Sequence, residues 1–86
     1  MPEISRFYGL VIKMFHNDHS PAHFHAEHGD DQVLIAIETL AVIAGRLRPR
    51  ALGLVMEWAS LHQDELRHDW ELAQNHEPLD SIDPLP

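Results

Sequence analysis

The sequence predicts an α+β fold in which a three- to four-stranded antiparallel sheet is followed by two C-terminal helices, or by one kinked helix. Three observations carry this expectation. β-branched, aromatic and large apolar residues crowd the first half of the chain; they alternate with polar residues at 22–27, and in the β-branched run 32–38 Val33, Ile35 and Ile37 share a face. Gly29-Asp30 separates two of these runs with turn chemistry. From Pro49 onward the apolar residues recur at helical spacing instead.

Phe7 to Phe15 is almost continuously apolar, with Gly9 and Lys13 out of pattern, and predicts one mostly buried strand. His16-Asn17-Asp18-His19-Ser20-Pro21 breaks it as a loop. In Ala22 to Glu27 the alternation puts Phe24 and Ala26 on one face and His23, His25 and Glu27 on the other, so a second strand is expected. A third follows from Gln32 to Glu38, where Val33, Ile35 and Ile37 share a face. After a turn near Thr39, a short fourth strand is expected at Val42 to Arg46.

Pro49 suits the first turn of a helix that runs to about His62, with Leu52, Val55, Met56 and Ala59 on one stripe and Trp58 and Leu61 beside it. A second helix carries Asp64 and Glu65 early, repeats the spacing with Leu66, Trp70 and Ala73, and ends near Asn75. Trp58 and Trp70 are expected core anchors, and Glu57, Asp64, Glu65, Asp69 and Glu71 an acidic solvated face. Residues 1–75 are thus expected to form a single domain. Residues 76–86, with alternating Leu79, Ile82 and Leu85, form an extended tail that packs at intervals.

Eighty-six residues suffice for one hydrophobic core, and an apolar fraction of 44% predicts a folded chain. Without cysteine there is neither a disulfide nor a thiolate metal site, so any metal must be held by histidine and carboxylate. The first fifteen residues lack the pattern of a signal peptide and no apolar run approaches the roughly 20 residues of a membrane span, which makes a cytoplasmic location the expectation. Fourteen acidic residues against six basic ones give a net charge of −8. Direct nucleic-acid binding is disfavoured, and a basic protein partner is favoured.

Five of the eight histidines fall within thirteen residues, His16 to His28. On a strand, His23 and His25 point the same way about 6.5 Å apart, a spacing from which two imidazoles can converge on one divalent ion. Glu27 continues that face, and Asp18 or His19 can complete the set from the preceding loop. The candidate metal ligands are therefore His19, His23, His25, Glu27 and Asp18, a donor set suited to zinc, nickel or iron(II). The competing interpretation is a polar sheet face whose histidines bond to one another and to the loop backbone. A metal-free histidine beside Glu27 or Asp18 could also serve as a general base.

Arg46, Arg48 and Arg50 concentrate half of the basic residues where the first helix begins, opposing its dipole. They form a candidate patch for an anion or a partner protein. Otherwise they pair with the chain's own carboxylates.

Ile4-Ser5-Arg6-Phe7-Tyr8-Gly9, Asn17-Asp18-His19 with Pro21, and His23-Phe24-His25-Ala26 closely resemble the bacterial and archaeal domain-of-unknown-function 4160 family. Ile37-Glu38-Thr39, Arg50-Ala51-Leu52, Glu57-Trp58, Leu61-His62, Glu65-Leu66 and Trp70-Glu71 extend the resemblance over nearly the whole chain. Two positions depart from the pattern: Ala22 stands where the family usually has a second proline, and Leu40 where it has a glycine. The first is expected to loosen the histidine loop and the second to strain the turn before the fourth strand, because leucine resists positive φ. The resemblance implies no catalytic residues. It implies a component of a toxin–antitoxin-like two-gene module that binds a small co-encoded protein. The alternatives are a hydrolase using a His/carboxylate site from His19, His23, His25 and Glu27, possibly metal-dependent, and a structural domain without its own chemistry.

Overall fold

The computed structural model describes residues 3–86, so the first two residues of the expected domain lie outside it. Five strands, β1 (Glu3–Phe7), β2 (Leu10–Lys13), β3 (His23–His28), β4 (Asp31–Ala36) and β5 (Val42–Arg46), form one antiparallel sheet in the order β1-β2-β3-β4-β5. Two helices follow, α1 (Pro49–Leu61) and α2 (Gln63–Gln74). The α+β class and the two C-terminal helices are as expected, but the sheet has five strands rather than three or four.

The additional strand comes from the Phe7–Phe15 run, which is not one strand. Tyr8 and Gly9 both take positive φ, 48° and 79°, and reverse the chain so that Phe7 pairs with Leu10. Two-residue hairpin turns favour positive φ at both central positions. Only Gly9 advertises that conformation in the sequence; the tyrosine before it hides the turn within an apolar run.

The alternating pattern places the core. Leu10, Ile12, Phe24, Ala26, Val33 and Ile35 are fully buried, and the register aligns Ile12, Ala26 and Val33 across three strands, with Phe24 opposite Ile35. Because side chains alternate with period two, the same register aligns Lys13, His25 and Leu34 on the other face. Ile37 donates its N–H to the Ala22 carbonyl at 3.0 Å, so the chain is held where a second proline was expected. Leu40 adopts φ +59° in the turn before β5, the conformation a glycine would take without steric cost.

Pro49 occupies the first turn of α1, as expected. Ala51, Val55, Trp58 and Ala59 form its buried stripe, while Leu61, placed beside the stripe by the sequence, is 64% exposed. The Trp58 ring packs 5.5 Å from Phe7 and 5.9 Å from Phe24, and its indole N–H donates to Asp83 O at 2.8 Å. His62 (φ −128°) interrupts the helical backbone, which gives two helices rather than one kinked rod. On α2, Leu66 and Ala73 are buried and Trp70 is half-buried against the core. Asp69, assigned to the solvated acidic face, is instead fully buried.

Beyond Gln74 the chain has no further helix or strand. It runs back over the sheet and helices with Ile82 and Leu85 buried. The Ile82 N–H donates to Ile4 O at 2.8 Å, and the Tyr8 hydroxyl donates to Pro86 O at 2.7 Å. Among the described residues no helix is long and apolar enough to cross a membrane.

Candidate metal centre

The β2–β3 connection is tied down from the far end of the sequence. Asn17 N–H donates to Ala73 O at 3.4 Å, Gln74 Nε2 to Asp18 O at 3.3 Å, and His16 Nε2 lies 2.8 Å from Glu77 O. These bonds between the loop and the chain at and just beyond the end of α2 lay Asp18 over the start of β3. The Asp18 carboxylate is oriented locally by the His19 backbone N–H, which donates to its Oδ1 at 2.8 Å.

Asp18 Oδ2 then faces both strand histidines, 3.1 Å from His23 Nε2 and 3.3 Å from His25 Nε2. One ligand atom from each of the three residues lies within 4.8 Å of the others. The side chains of Asp18, His23 and His25 retain 22%, 7% and 13% exposure, so the group is walled but open on one side. The walls are aromatic: the Phe15 ring meets the His25 ring edge-on at 4.6 Å, and Trp70 lies 5.5 Å from His23. Burial is the largest single influence on Asp18 and pushes its carboxyl upward. The His19 N–H, the hydrogen bond with His25 and the two neighbouring imidazoles together outweigh it and hold the group below the ordinary carboxylate value.

The tautomer of His23 is fixed by its other nitrogen. Nδ1 lies 2.7 Å from Pro21 O, and since a carbonyl can only accept, Nδ1 carries the proton. In the neutral ring Nε2 is then unprotonated and lies 3.1 Å from a carboxylate oxygen without the geometry of a hydrogen bond. That contact is repulsive unless a proton or a cation stands between the two atoms. His25 is incomplete in another way, because its Nδ1 is buried without a hydrogen-bond partner.

Of the five candidate ligands, the structure brings Asp18, His23 and His25 together. Glu27 shares the strand face but is drawn to Lys13, with 3.0 Å between Oε1 and Nζ. Lys13 sits opposite His25 in the register, one cross-strand step from Glu27. His19 is exposed and contributes its backbone N–H rather than its ring. The aromatic walls and the anchors on α2 were not identified from sequence, because Phe15 and Trp70 look there like ordinary core residues. Arg46, Arg48 and Arg50 are all exposed, and among the described residues none has a carboxylate within salt-bridge distance.

A family described as a domain of unknown function, number 4160, matches residues 9–71, and the chain belongs to it. The matched stretch contains Asp18, His23 and His25 together with both helix starts. No curated protein and no solved structure matches the chain.

Proposed function

We propose that this chain binds a divalent transition metal through Asp18, His23 and His25. The observation that carries this reading is the clustering of Asp18 Oδ2 with His23 Nε2 and His25 Nε2, while the His23 Nδ1–H is committed to Pro21 O and leaves Nε2 as the ring's free donor atom. Ligands about 2.0–2.2 Å from a shared ion, at tetrahedral or octahedral angles, lie about 3.0–3.5 Å from one another. Both N···O distances here fall in that interval. The backbone carbonyl on His23 Nδ1 is the outer-shell partner that metal-bound imidazoles usually have. Two imidazoles and one carboxylate suit zinc, nickel or iron(II), and the open side leaves room for water or a substrate oxygen. An ion so placed would supply Lewis acidity and an acidified water, which is the chemistry of the hydrolase alternative.

Calorimetric titration of chelator-treated, tag-free protein with zinc and with nickel tests the proposal. One site per chain is expected, with binding lost in His25→Ala and in Asp18→Asn while the far-ultraviolet circular dichroism stays unchanged. Absence of binding heat, or undiminished binding by His25→Ala, would overturn the assignment of this site.

A second reading, a partner-binding component of a toxin–antitoxin-like pair, draws on a different observation. Every residue of the edge strand β5 is exposed, and Val42 and Ile43 keep 45% and 43% of their surface in solvent. An apolar edge without lysine or proline is open to strand addition by a partner. Co-expression with the neighbouring gene product tests it: co-purification lost in Ile43→Lys supports the reading, and co-purification equal to wild type removes β5 from the interface.

A further inference from the structure

The chain's cations divide into two groups. Arg6 pairs with Glu3, Lys13 with Glu27, and Arg67 with Glu38 and Asp64. The remaining three, Arg46, Arg48 and Arg50, have no such partner among the described residues, although the chain offers fourteen carboxylates. In a protein of net charge −8, three unpaired guanidinium groups at one end of the sheet form a local positive field against the overall charge.

Two of them border a cavity. Between the β1–β2 turn, the end of β3 and the first turns of α1 lies a space of about 360 Å³ lined by Tyr8, His28, Arg48, Arg50, Ala51 and Leu54. Ala51 is buried and Leu54 half-buried, so these two give the cavity an apolar surface. Tyr8 is held in place at both ends, by its left-handed backbone (φ 48°) and by its hydroxyl bond to Pro86 O. Tyr8 is 60% exposed, and its ring is thus an open wall whose far end is restrained by the hydroxyl bond. The combination is an apolar, aromatic-sided space whose lining includes two exposed arginines without carboxylate partners. Ligand sites are commonly built this way, mostly apolar with a few convergent polar groups, and this volume lies toward the small end of their range.

We propose that this cavity binds a small phosphate monoester carrying one planar ring system, with Arg48 and Arg50 holding the phosphoryl group and the ring lying against Tyr8, His28 and Leu54. Arginine favours phosphate because its planar fork offers paired N–H donors to two oxygens. His28 supplies a further nitrogen for the anion and a flat face for the ring. The cavity shares no residue with the Asp18–His23–His25 group, so the inference stands independently of the metal reading.

Calorimetric titration of the full chain with adenosine monophosphate, adenosine and inorganic phosphate as probes tests this. Adenosine monophosphate should bind, with affinity falling as salt is added. Adenosine and inorganic phosphate should each bind at least about tenfold more weakly, since each lacks one of the two recognised parts. Arg50→Gln and Arg48→Gln should each weaken the nucleotide by a similar factor, Tyr8→Leu should weaken it while sparing inorganic phosphate, and His25→Ala should leave it unchanged. The proposal fails if no probe binds, if adenosine binds as well as its monophosphate, or if the double variant Arg48→Gln/Arg50→Gln, folded by circular dichroism, retains wild-type affinity. Equal affinity for inorganic phosphate and the nucleotide would overturn the assignment of the ring.

Discussion

Replacing Asp69 by asparagine should stabilise the fold at neutral pH, by an amount that disappears in acid. Asp69 lies on α2 and is fully buried. Its Oδ1 accepts the Asp80 N–H at 2.9 Å and so fastens the C-terminal tail, while Oδ2 has no hydrogen-bond partner. Burial is the main force raising its carboxyl above the ordinary value. The Asp80 N–H opposes this, the Asp80 and Glu65 charges add to the rise and His68 lowers it, with a net upward shift. The native state therefore holds this proton to a higher pH than the unfolded chain does. Above the unfolded value the native state binds more protons, so stability falls as pH rises from the ordinary carboxylate range through the raised native value, and stays lowered above it. An unsatisfied buried polar atom costs about 1–3 kcal/mol, and more when it is charged. Asparagine keeps the acceptor for Asp80 and removes the charge, yet leaves an amide where Oδ2 was, so the gain at pH 7.5 should be about 1 kcal/mol, or roughly 4–8 °C in Tm for a domain of this size. Urea unfolding followed by the fluorescence of Trp58 and Trp70, at pH 4 and pH 7.5, measures both ends. Wild type and Asp69→Asn that stay parallel across this range, or a variant less stable at pH 7.5, would refute the reasoning.

Gly45→Ala should be among the most damaging single substitutions in the sheet. Gly45 has φ +73°, and a Cβ there would lie 2.2 Å from the Gln32 backbone oxygen. The clash is relieved only by parting β5 from β4, so a loss of at least about 2 kcal/mol is expected in the same urea assay, and a loss under about 0.5 kcal/mol would show that the strand edge can shift freely. Glu27→Gln should leave zinc affinity within about twofold of wild type and change stability by no more than about 1 kcal/mol, because Glu27 is committed to a partly exposed pair with Lys13. A loss of metal binding in that variant would return Glu27 to the ligand set.

What could be read in advance, and what could not, follows from how each feature is encoded. Strand alternation has a period of two, so one well-placed apolar residue fixes every face. That is why the sequence places Phe24 and Ala26 on one face and His23, His25 and Glu27 on the other, as the structure has them. Helical phase is less determined. The sequence offers Leu52, Val55, Met56 and Ala59 as one stripe, while the buried set is Ala51, Val55, Trp58 and Ala59, displaced by the bulk of Trp58, which seats between Phe7 and Phe24. Asp69 departs from expectation for a related reason: a carboxylate on α2 reads as solvated until a tail eleven residues later covers it and lends it an N–H. The metal-site candidates show the same division. The pairing of His23 with His25 is local and legible at a spacing of two. The choice of Asp18 over Glu27 as their carboxylate is not, because it depends on Lys13 engaging Glu27 across β2 and β3 and on Gln74 gripping the Asp18 backbone from 56 residues away. A carboxylate on the same strand face is the nearer candidate by sequence. The loop carboxylate reaches the imidazoles because α2 holds it there, so a disruption at the end of α2, such as Gln74→Gly, acts on the site through the loop without touching either histidine.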